Sequence, residues 1–167
     1  MRRTVLLFAI IVGTVLCIAS PSAQAQQSLF GIGPKAGFYL KGDPMIGAVA
    51  EFLFTRSIIF EPGVEVIFEG NSITTFVADA NLRYAFQVRG ETYSPFLLGG
   101  LGLGMSIASQ GSETETDQKL RLNLGGGLTF NTRASTQFWG GLKIYTELTG
   151  DDTDSDVSLQ AGVIFYL

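Results

Sequence analysis

The chain has 167 residues, a formal net charge of −4, a single cysteine and no histidine. The absence of histidine excludes Ser-His and Cys-His nucleophile arrangements and histidine metal sites, and the net negative charge disfavours a nucleic-acid partner. The length fits one domain with a short N-terminal addition.

The N-terminal addition has the layout of a cleavable secretory signal. Two arginines at 2–3 precede an apolar run over 5–19, and a small-x-small triplet follows at 23–25. The apolar run is shorter than the roughly 20 residues that a membrane-spanning helix needs. We therefore predict a signal peptide over 1–25 and a mature domain over 26–167.

Cleavage at this point changes both the thiol content and the charge of the protein. Cys17 is removed with the signal, so the mature domain cannot form a disulfide. Eleven basic residues minus Arg2 and Arg3 leave nine, which against fifteen acidic residues give a net charge of −6. An exported domain without disulfides must be stabilised by burial or by a membrane.

The mature domain alternates apolar and polar residues with a period of two. No apolar run reaches helical length beyond residue 31, and turn-rich pieces separate eight alternating segments. We predict strands at 31–41, 45–54, 58–69, 75–87, 94–108, 119–130, 136–148 and 156–167. This pattern predicts an all-β meander.

Alternate positions along each strand point to opposite faces of the sheet and form two sets, which we call parities. The two parities differ in charge. One parity contains no charged residue, although 16% of the chain is charged. The other parity carries Lys35, Glu51, Glu61, Glu65, Asp79, Arg83, Arg121, Lys143 and Glu147. The two faces of the sheet are therefore expected to meet different solvents.

The number of apolar residues on one face decides which face is outside. The interior of an eight-stranded barrel is just wide enough for side chains to fill it, and the apolar set is far too large for that space. The charged parity is rich in glycine, which suits a crowded lumen. Segments of about ten residues match the height of a membrane-spanning barrel. We predict a closed eight-stranded antiparallel up-and-down transmembrane β-barrel, because closure leaves no unpaired strand edge in lipid.

The predicted barrel belongs in a bacterial outer membrane, with both termini on the periplasmic side because the strand number is even. Aromatic residues are expected to form girdles near both sets of turns. Short periplasmic turns are predicted at 55–57, 88–93 and 131–135, and outer loops at 42–44, 70–74, 109–118 and 149–155.

Four short segments carry a family resemblance. Gly33–Gly37, Gly47–Phe52, Pro62–Glu65 and Pro95–Gly100 resemble the porin-like outer membrane β-barrel domain family, and the likeness covers about 30–167. The resemblance implies an outer-membrane location and usually no defined activity, with outer-membrane lipids, lipopolysaccharide and the outer-membrane assembly machinery as partners. Such barrels typically end in an aromatic residue that the assembly machinery reads, whereas this chain ends in Leu167.

The charged parity is expected to form a paired network inside the lumen. Hairpin folding about residue 43 places Lys35 opposite Glu51, and the following hairpins place Glu51 beside Glu61 and Glu61 near Arg83. An isolated charge in a narrow lumen would cost several kcal/mol, so these charges must be paired. We interpret the network as structural filling; a gate or solute path is the alternative. A hydrolytic carboxylate pair such as Glu61 with Glu65 lacks any sign of a substrate cleft.

The acidic outer loops raise the question of a metal. Asp152, Asp154 and Asp156 match the start of a calcium loop, but Val157 occupies the position that needs glycine. A solvated loop is expected, with weak divalent bridging to lipopolysaccharide as the alternative. No cofactor and no metal are predicted.

These features predict a monomeric, non-enzymatic outer-membrane barrel that contributes to envelope integrity or surface contact. Two alternatives stay open. One is a small porin-like channel for ions or solutes. The other is a soluble lipocalin-like barrel that binds a ligand.

Overall fold

The computed structural model describes residues 29–69, 73–88, 91–110, 113–133, 135–149 and 154–167. Side chains are described for these residues except 108–117 and 131–133. The predicted signal peptide lies outside the described residues. No helix in the described part of the chain is long and apolar enough to cross a bilayer.

Eight strands follow one another and close into a single antiparallel barrel, in which each strand pairs with its neighbours in sequence and β1 pairs with β8. The strands are β1 (Phe30–Tyr39), β2 (Pro44–Leu53), β3 (Ile58–Glu69), β4 (Ile73–Ala85), β5 (Tyr93–Gln110), β6 (Glu113–Arg133), β7 (Thr136–Glu147) and β8 (Ser155–Tyr166). The predicted fold class is confirmed.

Burial alternates along every strand whose side chains are fully described, as a two-residue period requires. In β1, Ile32 and Phe38 are about half exposed, whereas Lys35 between them is buried. The apolar parity faces outward and the charged parity faces the lumen. The predicted orientation of the two faces is therefore confirmed.

The barrel has two distinct ends. The first residue of β1 and the last of β8 lie at one end, together with the β2–β3, β4–β5 and β6–β7 connections; we call it the terminal end. The other end, here the loop end, holds the β1–β2, β3–β4, β5–β6 and β7–β8 connections.

The first hairpin turns earlier than predicted. Gly42 has a φ of 102°, a left-handed conformation that favours glycine, and Tyr39 N–H donates to the Asp43 carbonyl at 2.9 Å. The resulting register places Lys35 opposite Gly47 and Glu51 opposite Gly31. The prediction that Lys35 lies opposite Glu51 is wrong, because the turn is centred nearer residue 41 than residue 43.

The predicted outer loop at 109–118 is also wrong. Strands β5 and β6 continue through most of it and stay paired out to Gln110 and Glu113. Threonine at alternate positions favours an extended strand, but the segment has no apolar parity that would distinguish a strand from a loop in sequence.

Candidate functional site

All nine predicted lumen residues are buried. Their exposed fractions are 7% or less, and they are contributed by strands β1 to β4, β6 and β7. They divide by contact into a central cluster, a terminal cluster and a loop-end cluster. The lumen is the candidate site because it concentrates the buried charge of the described residues.

The central cluster joins four strands across the lumen. Lys35 Nζ lies 2.6 Å from Glu65 Oε1, and Lys143 Nζ lies 2.5 Å from the same oxygen. Asp79 Oδ2 lies 2.7 Å from Lys143 Nζ and 3.9 Å from Lys35 Nζ. Two cations and two carboxylates make this cluster neutral, the condition under which buried ions are tolerated.

Neutral polar side chains complete the hydrogen bonding of the central carboxylates. Tyr39 donates its hydroxyl to Glu65 Oε2 at 3.1 Å. Asn123 donates its amide to Asp79 Oδ1 at 2.9 Å and to the Asn81 oxygen at 3.1 Å. The second oxygen of each carboxylate therefore has a donor, which reduces the desolvation cost of burying it.

The terminal cluster is built around one guanidinium. Arg83 Nη1 donates to Glu51 Oε1 at 2.6 Å, and Arg83 Nη2 forms an ion pair with Glu61 Oε2. Tyr166 donates to Glu51 Oε2 at 2.6 Å and also contacts the Gln137 side-chain oxygen. The predicted proximity of Glu61 to Arg83 is present in the structure, and both predicted acidic neighbours share this single arginine.

Aromatic side chains pack against the guanidinium of the terminal cluster. The Arg83 guanidinium lies 4.5 Å from the Phe96 ring centre and 5.5 Å from that of Trp139. These rings, with Val49 and Ile164, form a buried apolar cluster. Stacking on aromatic faces stabilises a desolvated guanidinium by cation–π attraction.

The loop-end cluster repeats this arrangement. Arg121 lies 4.5 Å from the Tyr145 ring centre, and Glu147 accepts from Arg121 Nη2 at 3.4 Å and from Lys119 Nζ at 2.7 Å. A second apolar cluster lies beside it, made of Tyr39, Met45, Ile67, Val77 and Tyr145.

Sequence reasoning missed both apolar clusters. It treated the inward parity as small residues beside a few charges. Val49, Phe96 and Trp139 nevertheless fall on that parity, among charged residues and glycines. Their positions in the sequence could have indicated that large apolar side chains also enter the lumen.

Inward glycines leave room for the long cations. A Cβ added at Gly47 would lie 3.2 Å from Lys35 Cε, and one added at Gly63 would lie 3.2 Å from Lys35 Nζ. Lys35 can thus cross to Glu65 because its neighbours on β2 and β3 lack side chains.

The side chains of these clusters leave little space between them. An internal cavity of about 10 Å³ lies between the central and terminal clusters, lined in part by Lys35, Glu61, Trp139 and Lys143. That is the space of about one water molecule. Glu61 and Glu65 are each paired with cations, so they do not form the free, facing carboxylate pair that hydrolysis requires.

The described residues contain no group of three or more side chains arranged to hold a metal ion. Asp152 lies outside the described residues. Asp154 and Asp156 lie 3.2 and 3.4 Å from Lys41 Nζ. Its hydrogen bond to Asp154 raises the pKa of Lys41, and the same bond lowers the pKa of Asp154.

The outer surface of the strands forms an apolar belt. Leu97, Leu101, Leu124 and Leu142 are 49–58% exposed. Aromatic side chains pack against each other near the terminal end, where Phe54 stacks on Phe60 and Tyr84 meets Phe86 edge to face. Isolated exposed leucines are ordinary, but a continuous ring of them is not.

No family model and no curated protein sequence matches the chain. Solved structures with the same fold include Neisserial surface protein A (13% identity, 86% of this chain and 100% of that one, TM-score 0.67). The N-terminal β-barrel domain of Pseudomonas aeruginosa OprF is similar (14%, 83% and 98%, TM-score 0.64). The outer membrane enzyme PagL is a third (14%, 82% and 99%, TM-score 0.52).

At these identities the likeness concerns the fold. The chain has the architecture of small eight-stranded outer-membrane barrels, as predicted. Because one of the similar structures is an enzyme, the shared fold does not decide whether this chain is catalytic.

Proposed function

We propose that this protein is a non-enzymatic bacterial outer-membrane β-barrel that contributes to envelope integrity or surface contact and whose lumen is closed by its charge network. The observation that carries the proposal is the inverted distribution of residues. Charges are buried and paired in the lumen, while leucines and phenylalanines are exposed around the outside. Hydrocarbon is the solvent that suits such a surface.

Several expectations accompany this proposal. Residues 1–25 serve as the export signal, the terminal end faces the periplasm, and the barrel is a monomer. Its partners are outer-membrane lipids, lipopolysaccharide and the assembly machinery. Outer-membrane location is supported by the shared fold and by the exposed belt.

The soluble lipocalin-like alternative requires an apolar interior and a polar exterior. Burial is the reverse of this, because Glu51, Glu65 and Arg83 are almost fully buried while the leucines of the belt are exposed. The cavity between the central and terminal clusters has a volume of about 10 Å³, far smaller than a ligand site. This distribution of burial therefore favours a lipid-facing barrel over a soluble lipocalin-like one.

The channel alternative is tested by single-channel recording on the refolded protein in planar bilayers. We expect no steady conductance, because charged and aromatic side chains occupy the lumen. Steady conductance that disappears in the double variant Glu51→Gln and Glu61→Gln would contradict the closed lumen and favour a cation path. The matched control is Leu101→Ile on the belt, which leaves the lumen unchanged.

Trp139 provides an independent measurement because it is the only tryptophan and lies inside the lumen. Its fluorescence should resist quenching both by acrylamide in water and by brominated lipid in the bilayer. Efficient quenching by acrylamide would mean that water fills the lumen.

A further inference from the structure

We propose that the protruding edge of β6, residues 113–118, is a docking site for an extended, positively charged segment of a partner protein, which would add to the sheet as an extra strand. The inference rests on the surface-contact part of the proposed function. It concerns a part of the molecule that is separate from the lumen.

The first observation is that β6 begins several residues before the point at which its pairing with β7 starts. On the β5 side, β6 stays paired to its first residue, where Glu113 faces Gln110. On the β7 side, strand pairing begins only at Arg121, opposite Glu147. Within the described part of the chain, residues 113–118 therefore have no partner strand on that side. Six residues at about 3.3 Å each make an edge of about 20 Å, which we call the free edge because no described strand pairs with it.

The backbone direction along this edge follows from the last bonds to the β7 side. Leu148 N–H donates to the Leu120 carbonyl at 2.8 Å, and Leu120 N–H donates to Thr149 Oγ1 at 3.0 Å. Backbone groups of alternate residues point to the same side of a strand, and the β5–β6 register is unbroken. Thr114, Thr116 and Gln118 therefore direct their N–H and C=O groups to the free edge.

The second observation is the charge of the edge. Three of its six residues are acidic, at the alternate positions Glu113, Glu115 and Asp117. A second copy of the same edge would bring like charges together, and charged residues on an edge disfavour such self-pairing. A basic strand has the complementary charge, with backbone bonds supplying affinity and alternate side chains supplying selectivity.

The test uses a synthetic peptide that alternates lysine with valine and threonine, titrated into the full refolded barrel in uncharged detergent. Binding is followed by calorimetry and by amide NMR shifts. We expect saturable binding that weakens with salt and shifts the amides of residues 114, 116 and 118. A matched peptide carrying N-methyl groups on the amides that would face β6 should bind at least tenfold more weakly.

Variants of the edge separate backbone pairing from simple charge attraction. Thr116→Pro removes an N–H of the free edge without removing a bond to β5, so it should weaken binding at least tenfold, whereas Thr116→Ala should not. The triple change Glu113→Gln, Glu115→Gln and Asp117→Asn should weaken binding at low salt. If Thr116→Pro fails to fold, as judged by its migration in unboiled gel samples, the N-methylated peptide still decides with the unaltered barrel.

The proposal is overturned if the lysine peptide does not bind or if both peptides bind equally, since equal binding means charge attraction alone. Neither result affects the closed lumen, which conductance and Trp139 fluorescence measure separately. A conducting lumen with intact peptide binding would contradict the proposed function and leave this site standing.

Discussion

The lumen and the apolar belt are made by the same strands, residue by residue, yet their side chains depend on their neighbours in opposite ways. Glu65 in the lumen is held by Lys35, Lys143 and Tyr39 at specific distances. Leu101 on the belt is half exposed and needs only an apolar solvent. The lumen should therefore be sensitive to residue identity, and the belt only to polarity and depth.

The largest effect is expected from breaking the central cluster. Glu65→Leu leaves Lys35 and Lys143 facing Asp79 alone, and removing one partner of a buried ion pair costs about 3–5 kcal/mol. The free energy of unfolding is measured by urea titration in phospholipid vesicles, with Trp139 fluorescence as the signal. Leu101→Ile is the control and should change it by less than about 0.5 kcal/mol.

A second change sharpens this result. Adding Lys143→Met to Glu65→Leu removes the excess positive charge and leaves Lys35 with Asp79, so the double variant should recover part of the lost stability. Additive losses from the two substitutions would mean that water solvates the lumen and that the ion pairs are not coupled.

The belt is tested by placing a charge at two depths. Leu101→Arg lies midway along β5, and an arginine facing lipid near the midplane costs about 2–4 kcal/mol. Leu40→Arg lies just beyond β1 at the loop end and should cost about 0–1 kcal/mol. Unfolding in vesicles measures both. Equal, small costs at the two positions would contradict contact of the belt with hydrocarbon.

The same contrast explains what sequence could predict. The number of strands and the face that each residue occupies can be predicted from the alternation of apolar and polar residues. This alternation is visible in the sequence because each face of the sheet meets one kind of environment. Ion pairing does not follow from hairpin register, because Lys35 on β1 reaches across to Glu65 on β3, and Lys143 on β7 meets the same carboxylate. Such contacts depend on the narrow lumen and on the glycines beside Lys35.

The two errors of register and length have local causes. The β1–β2 turn is set by Gly42 and its left-handed backbone, and a shift of this turn moves every cross-strand neighbour of Lys35. The start of β6 lies beyond the apolar belt, so its residues alternate between polar types. Without an apolar parity, period two cannot be seen.

A smaller effect distinguishes a lumen hydroxyl from a belt hydroxyl. Tyr166→Phe removes the donor to Glu51, and a hydrogen bond to a charged group is worth about 1.5–3 kcal/mol. Tyr84→Phe is the matched control on the exposed face, where about half of the side chain is accessible. Its unfolding free energy should stay within about 0.5 kcal/mol of the unaltered protein. Equal losses in the two variants would argue against a specific lumen bond.

The smallest effect is expected outside both the lumen and the belt, at the exposed contact between the β1–β2 turn and the residue before β8. Lys41 lowers the pKa of Asp154, so this contact adds stability above the usual aspartate pKa and loses it as pH falls through the lower folded value. The raised pKa of Lys41 means that the contribution is lost again at strongly alkaline pH, as the lysine deprotonates. Both side chains are more than half exposed, so solvent screening limits the gain to a few tenths of a kcal/mol. Asp154→Asn should therefore lower the unfolding free energy slightly at pH 7 in low salt, and this difference should shrink as the pH falls and Asp154 becomes protonated. A loss at pH 7 that persists in 1 M salt would show that Asp154 acts through something other than its charge.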